Sequence, residues 1–184
     1  GGWYAVPGNE GPQLSLGDLC FTLGRSPVAK CGLVGAGAGV LQLWDLQPVR
    51  LIRNFVGSGI QVHAFGFLPD GHTIYSAGND DIVRVWDIAT GAELRQFVGH
   101  TKAIYGAALS PDGQHLASSS FDTTLRVWNL GQSGEPLQFV SPGSAINFSV
   151  AVSPDGNEVL TGGVDHSARL WSTQTGELLR QLTG

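Results

Sequence analysis

The sequence predicts an all-β protein built from four repeats, each made of four short antiparallel strands. Three observations support this prediction. The tryptophans Trp44, Trp86, Trp128 and Trp171 recur at spacings of 42, 42 and 43 residues. The tripeptide Pro-Asp-Gly lies ahead of the last three of them, at a constant distance of 17 residues. Strand-forming residues fill the segments between these turn signals without a helical period.

The composition suits a globular protein of many short strands. The chain has 184 residues, of which 27 are glycine, 42% are hydrophobic and 14% are charged. This length allows one domain with a real core, and the glycines suit tight turns. The formal net charge of −5 repels phosphate groups, so we expect no nucleic-acid partner. No apolar run approaches the roughly 18 residues of a membrane helix, so we expect no membrane partner and a cytoplasmic location.

The third repeat shows the predicted strands most clearly. Its first strand is predicted at Ala103–Leu109, followed by the turn Ser110–Gly113. In this turn proline sets φ near −65° and glycine supplies a positive φ. The remaining strands are predicted at Gln114–Ser120, Thr124–Leu130 and Pro136–Val140. Small residues in these strands suit a sheet that is packed between two neighbouring sheets.

The repeats divide almost the whole chain. The first repeat is degenerate, because Pro27 lies 17 residues ahead of Trp44 without a following Asp-Gly. The chain has no methionine, and we interpret it as a piece of a longer protein. The segment Gly1–Gly8 is a candidate extra strand at a seam between repeats. The predicted boundaries are 1–13 for a lead segment, 14–57 for the first repeat, 58–99 for the second, 100–141 for the third and 142–184 for the fourth.

A repeat of about 42 residues with four strands and these motifs resembles the WD-repeat β-propeller family. The resemblance extends from about residue 14 to residue 184. It implies a β-propeller of four-stranded antiparallel blades, four of them in this chain, stacked around a channel. The residues that carry it are Gly99-His100, Ser110–Gly113, Asp122, Trp86-Asp87 and Trp44-Asp45.

The resemblance also implies a buried network of His, Ser or Thr, Asp and Trp inside a blade. A buried indole N–H and a buried carboxylate both require hydrogen-bond partners, which such a network supplies. We therefore expect the repeated aspartate to be structural and not catalytic. The complete set, in the third repeat, is His100, Ser118, Asp122 and Trp128.

The other repeats contain only part of this set. The second has Ser58 in place of the histidine, and the fourth has Ser141–Ser144 in place of Gly-His. The first has Val34 and Ala38 in place of the hydroxyl and the acid. The partial sets are Ser76, Asp80 and Trp86 in the second repeat, and Thr161, Asp165 and Trp171 in the fourth.

Partners of this family often bind near the channel, at positions early in the first strand and just before the repeated aspartate. Several of the corresponding residues here are aromatic or aliphatic, and exposed clusters of such residues are typical of protein interfaces. The alternative is that several of them simply pack between blades. Carried over residue by residue, the positions are Gln61, His63, Asn79, Ala103, Tyr105, Phe121, Ile146, Phe148 and Val164.

No motif indicates an enzyme, a metal site or a cofactor. None of the five histidines forms an H-x-x-x-H motif or lies at ligand spacing from a cysteine. Cys20 and Cys31 are expected to be buried thiols, because a disulfide framework needs more cysteines. The glycine-rich stretch Gly35–Gly39 lacks the Lys-Ser/Thr and the helix of a phosphate loop, so it is expected to be a turn.

The resemblance implies a ring of about seven or eight blades, at the upper end of the range for propellers, and this chain has four. We therefore expect further blades, either from a second copy or from a longer parent chain. The leading functional hypothesis is a non-enzymatic scaffold that mediates protein–protein interaction as part of that ring. One alternative is a structural oligomerisation module whose half-rings dimerise into an eight-bladed propeller. Another is the ligand-sensing propeller portion of a multidomain signalling protein.

Overall fold

The computed structural model of the chain describes residues 23–25, 30–36, 39–56, 61–131, 136–141 and 145–183. Within these ranges it contains sixteen β-strands and no α-helix, and hence no helix able to cross a membrane. The strands are β1 (Leu23–Arg25), β2 (Cys31–Ala36), β3 (Val40–Leu46), β4 (Val49–Val56), β5 (Val62–Phe67), β6 (Thr73–Gly78), β7 (Ile82–Asp87), β8 (Glu93–Val98), β9 (Ile104–Leu109), β10 (His115–Ser120), β11 (Thr124–Asn129), β12 (Leu137–Val140), β13 (Asn147–Val152), β14 (Glu158–Gly163), β15 (Ser167–Ser172) and β16 (Leu178–Thr183).

The strands form four antiparallel sheets, each built from four consecutive strands. Sheet 1 contains β1 to β4, sheet 2 contains β5 to β8, sheet 3 contains β9 to β12, and sheet 4 contains β13 to β16. Strands that are neighbours in the sequence are also neighbours in the sheet, as short turns between them require. The predicted all-β fold of four four-stranded blades is thereby confirmed. The lead segment 1–13, including the candidate strand Gly1–Gly8, lies outside the described residues.

The turn between the second and third strands has the same backbone geometry in every sheet. Five residues before each repeated tryptophan, the chain adopts a positive φ. A side chain with a Cβ rarely takes this conformation, so the shared geometry marks a turn that the fold imposes. His166 is therefore a turn residue. The residues at this position are Gly39 (76°), Asp81 (65°), Thr123 (72°) and His166 (59°).

Each sheet packs on the next through two faces that recur along the chain. We call the apolar face toward the next sheet the forward face, and the opposite face the tryptophan face. A phenylalanine on the forward face packs on the tryptophan of the next sheet. The ring centroids are 6.0 Å apart for Phe55 and Trp86, 5.7 Å for Phe97 and Trp128, and 6.0 Å for Phe139 and Trp171. The forward faces comprise Leu33, Leu41, Leu43 and Phe55 in sheet 1, Tyr75, Val83, Val85 and Phe97 in sheet 2, and Ala117, Leu125, Val127 and Phe139 in sheet 3.

The series of covered faces stops at sheet 4. Strand contacts join sheet 1 to sheet 2, sheet 2 to sheet 3, and sheet 3 to sheet 4, with no extensive packing between sheets 1 and 4 in the described part of the chain. Leu160 and Leu182 are 44% and 57% exposed, whereas the forward faces of the other sheets are at most 8% exposed. At the other end, Trp44 of sheet 1 is only half-buried. The forward face of sheet 4 consists of Leu160, Ala168, Leu170 and Leu182.

Candidate protein-binding surface

The nine residues predicted to contact partners form three equivalent groups at one end of sheets 2, 3 and 4. In each group, the residue before the repeated aspartate donates its backbone N–H to a carbonyl oxygen. The acceptor is the residue that directly precedes the first strand of the sheet. The third member of each group, His63, Tyr105 or Phe148, lies on that first strand. The N···O distances are 3.0 Å from Asn79 to Gln61, 2.9 Å from Phe121 to Ala103, and 3.0 Å from Val164 to Ile146.

Four of these residues form what we call the aromatic row: His63, Tyr105, Phe121 and Phe148. The rings of His63 and Tyr105 are stacked, with centroids 4.6 Å apart. Tyr105 meets Phe148 edge-on at 5.0 Å and Phe121 at 6.2 Å. The row exists because the first strands of adjacent sheets pack together, which places equivalent residues side by side. Such tilted and edge-on ring pairs are favoured geometries.

The row combines packed and exposed rings. Tyr105 lies between three other rings and is only partly exposed, as the packing alternative expects. Phe121 and Phe148 are 39% and 45% exposed, and Val164 beside them is 44% exposed. The Lys102 ammonium lies 5.7 Å from the centre of the Phe121 ring, in cation–π geometry. Phe121, Phe148 and Val164 therefore place exposed apolar side chains at this end of sheets 3 and 4.

Beneath this surface, sheet 3 contains a continuous polar network. Trp128 Nε1 donates to Ser118 Oγ at 2.8 Å, and His100 Nε2 lies 2.8 Å from the same oxygen. His100 Nδ1 lies 2.8 Å from Asp122 Oδ2. Each donor in this network has an acceptor if His100 carries its proton on Nδ1. Nδ1 then donates to Asp122, and Nε2 accepts from the Ser118 hydroxyl. The network joins the loop that carries Phe121 to the core of the sheet.

The carboxylate of Asp122 is held by more donors than the sequence indicated. Thr124 Oγ1 donates to Asp122 Oδ1 at 2.7 Å, and the backbone N–H of Thr101 donates to Oδ2 at 3.0 Å. Burial alone would raise the pKa of Asp122, but the hydrogen bonds from His100 and Thr124 outweigh it and hold this pKa well below the usual value. Asp81 differs, because burial and then the nearby carboxylates of Asp80 and Asp122 raise its pKa.

In sheets 2 and 4 an arginine takes the place of the missing histidine. Arg84 forms an ion pair with Asp80, and its Nε lies 2.9 Å from a carboxylate oxygen of Glu93. Arg169 pairs with Asp165 in the same way and is 1% exposed. The Arg169 guanidinium lowers the pKa of Asp165. The sequence contained only a partial signal: an arginine lies two residues before three of the four tryptophans, and one of the three, Arg126, makes no such pair.

The tryptophans of these two sheets make the hydrogen bond that is found in sheet 3. Trp86 Nε1 donates to Ser76 Oγ at 2.8 Å, and Trp171 Nε1 donates to Thr161 Oγ1 at 3.0 Å. Sheet 1 differs, because Val34 is buried where the hydroxyl lies elsewhere. Trp44 Nε1 donates to Gln42 Oε1 at 3.1 Å instead. Ser58 and Ala38, and residues 142–144 of the Ser141–Ser144 stretch, lie outside the described residues.

Arg126 of sheet 3 corresponds to Arg84 and Arg169 but has a different environment. His100 is already hydrogen-bonded to the Asp122 carboxylate, and the Arg126 guanidinium lies 5.9 Å from the centre of the Trp128 ring. A Cβ at Gly99 would come within 2.6 Å of Arg126 Nη1, so the glycine leaves room for the guanidinium. Equivalent arginines therefore pair with a carboxylate only where no histidine is present.

This difference predicts unequal effects of the same substitution. We expect Arg84→Met to lower the free energy of unfolding by about 2 kcal/mol, because it leaves Asp80 and Glu93 without their cation. Arg126→Met should cost less than about 1 kcal/mol, since Asp122 retains His100. Chemical denaturation of the two variants measures both values. Equal losses would contradict the conclusion that arginine is the partner of the aspartate in sheet 2 and histidine is its partner in sheet 3.

The described residues contain no group of three or more His, Cys, Asp or Glu side chains arranged to hold a metal ion. Cys31 is a free thiol that packs beside the apolar cluster of sheets 1 and 2. Burial, and then the charge of Asp45, raise the pKa of this thiol, which favours its protonated form. Cys20 lies outside the described residues.

Comparison with protein families gives one match. The model of the WD domain, G-beta repeat family matches residues 49–87, 91–129 and 135–172, which together are more than half of the chain. Each match begins near the outer strand of one sheet and ends at the third strand of the next. The matched repeat is therefore offset from the sheet by one strand, so that each repeat links two adjacent sheets. No curated protein matches the chain.

Proposed function

Since the chain belongs to the WD-repeat family, we propose that it is a non-enzymatic scaffold that binds a protein partner through the aromatic row. Members of this family are generally interaction scaffolds. The single observation that supports the site is the contact of four rings from three adjacent sheets, two of them at least 39% exposed. Interfaces derive most of their binding energy from a few such aromatic anchors.

The partner proposed for this surface is a protein segment that carries apolar side chains. Phe121, Phe148 and Val164 offer it adjacent apolar area, while the hydrogen bond between His63 Nε2 and Asn79 Oδ1, at 2.7 Å, gives one edge of the surface polar character. An apolar centre with a polar edge is the usual anatomy of a protein interface. Neither a nucleic acid nor a membrane is the partner in this proposal.

A second part of the proposal concerns the ring of blades. The forward face of sheet 4 has the same register as the three covered faces, and it exposes leucine to solvent. We propose that further blades complete the ring, which makes the scaffold either part of a larger propeller or a half-ring. In the half-ring case, the chain is also an oligomerisation module. A ligand-sensing role within a signalling protein would use the same aromatic row, and no specific contact favours it.

The partner surface is tested by substitutions that shorten its exposed rings. The immobilised chain captures partners from an extract, and a captured protein is then purified and titrated against variants. We expect Phe121→Ala and Phe148→Ala each to weaken binding at least tenfold, as for interface anchors. Leu94→Ala is the matched control, because Leu94 is 56% exposed on the outer strand β8 of sheet 2. The thermal midpoints must stay close to that of the unmodified chain. Equal affinities of all three variants would exclude the aromatic row as the site.

A further inference from the structure

Two arginines reach from one sheet to the next and bind the turn between its third and fourth strands. Arg53 of sheet 1 donates from Nη2 to the carbonyl of Ala89 at 2.7 Å and from Nη1 to that of Thr90 at 2.9 Å. Arg95 of sheet 2 donates to the carbonyl of Leu130 in sheet 3 at 2.7 Å. Hydrogen bonds from a charged donor are stronger than neutral ones. We call these side chains cross-sheet arginines.

Sheet 4 has an arginine at the same position. Arg53, Arg95 and Arg180 are paired across their sheets with Leu43, Val85 and Leu170, which are equivalent forward-face residues. Sheet 3 has Leu137 at this position. Arg180 is exposed, and within the described ranges its side chain makes no hydrogen bond and no ion pair. Sheet 4 therefore presents both components of an intersheet contact, an apolar forward face and a cross-sheet arginine, with nothing opposite them in the described part of the chain.

We propose that a second copy of this chain covers the forward face of sheet 4 with the tryptophan face of its own sheet 1. In this contact Leu182 packs on Trp44 of the second copy, as Phe55 packs on Trp86 within one chain. Arg180 donates to the turn that follows β3, where Gln47 and Pro48 correspond to Ala89 and Thr90. This inference rests on the incomplete ring of the proposed function and is independent of the aromatic row.

Sheet 1 is suited to receive this contact. Trp44 is half-buried, and its N–H is satisfied by Gln42 within sheet 1, so the indole needs only apolar cover from outside. Leu46, the last residue of β3 and next to the turn that would accept Arg180, is 38% exposed. One chain thus contains both complementary faces, one at each end of its series of sheets. A two-fold axis then forms two identical seams and closes the ring with eight sheets.

The test uses the purified chain and measures its mass by light scattering at micromolar concentration. We expect a particle of twice the chain mass of 19.3 kDa. Leu160→Asp places a charge in the seam and should weaken dimerisation at least a hundredfold. Arg180→Leu introduces the residue type that sheet 3 has at this position, and it should weaken dimerisation about tenfold. Leu94→Asp is the control, because it puts the same charge on an exposed leucine outside the seam.

Thiol crosslinking tests the register of the seam. Chains that lack Cys20 and Cys31 are prepared with either Gln47→Cys or Arg180→Cys, and the two are mixed and treated with a bifunctional maleimide. The reagent is needed because an arginine side chain reaches farther than a disulfide can bridge. The proposal expects a crosslinked pair from the mixture and little from either chain alone. A dimer that forms no such crosslink, or one that is unaffected by Leu160→Asp and Arg180→Leu, would overturn the proposal because another surface would hold it together.

A monomer at micromolar concentration also overturns the proposal that a second copy covers this face. Dye binding then decides whether the incomplete ring of the proposed function is wrong as well. If a hydrophobe-binding dye binds the monomer and Leu160→Asp abolishes that binding, the face is open and the ring takes its blades from elsewhere. If the monomer binds no dye and melts sharply, the chain covers its own forward face. In that case the incomplete ring of the proposed function is wrong as well. Partner binding by the aromatic row is measured in the separate titration of Phe121→Ala and Phe148→Ala, so none of these outcomes decides it.

Discussion

We expect Asp122→Ala to lower the free energy of unfolding by about 3 kcal/mol, because it removes the acceptor of several hydrogen bonds at once. The carboxylate accepts from His100, Thr124 and the backbone N–H of Thr101, and its side chain is 5% exposed. Without it, buried donors lose their acceptor, and each orphaned group adds a desolvation cost. The turn that carries Phe121 also loses its attachment to the core of sheet 3. Urea denaturation of the variant measures the effect.

The control for this prediction is Asp112→Ala. Asp112 lies in the exposed turn between β9 and β10, where it accepts from the Ser110 hydroxyl and the Gln114 N–H. Both donors can turn to water when the carboxylate is removed, so we expect a clearly smaller loss. Equal midpoints of unfolding for the two variants would show that the network in sheet 3 adds no more than an ordinary surface turn.

The second large effect is expected for Phe97→Ala, at about 3–4 kcal/mol. Phe97 is 8% exposed and lies on the forward face of sheet 2, with its ring 5.7 Å from that of Trp128 in sheet 3. Truncation leaves a cavity between two sheets that cannot close without moving both, so the cost includes lost packing as well as lost transfer energy. The Arg95 guanidinium, 5.7 Å from the centre of the same ring, also loses its support.

Leu94→Ala on the same strand is the control for this substitution. Leu94 is 56% exposed, so its loss removes little buried area, and we expect a change of less than about 0.5 kcal/mol. Thermal and chemical denaturation should rank the two variants in the same order. A small effect of Phe97→Ala would mean that the packing of phenylalanine on the tryptophan of the next sheet does not hold the blades together.

The fold was predictable because its signals are local and recur in every repeat. A Pro-Asp-Gly turn, an alternation of apolar residues and a tryptophan at fixed spacing each act over a few residues. The predicted strands of the third repeat, such as Ala103–Leu109, agree with the observed Ile104–Leu109 to within a residue or two. The grouping of the predicted surface residues also followed, because equivalent positions on adjacent sheets must become neighbours once the sheets stack.

The partners of the polar side chains were only partly predictable. The set of His100, Ser118, Asp122 and Trp128 was indicated by residue type and position. The pairing of Arg84 with Asp80 was not, although the two are four residues apart. In an extended strand two residues four apart share a face but lie about 13 Å apart, and only the turn at Asp81 brings them together. The choice of arginine or histidine as a carboxylate's partner thus depends on which side chain the folded loops place nearest.

The sequence by itself determined that this chain forms repeated four-stranded sheets, that one repeat has a complete polar network, and that the repeats are too few for a usual ring. The tertiary structure decided which face of each sheet is covered and which is open. It also decided the role of Arg53, whose acceptor Thr90 lies 37 residues away in another sheet. Contacts between sheets join residues that are distant in the sequence and carry no local signal for each other, so they appear only when the sheets are stacked.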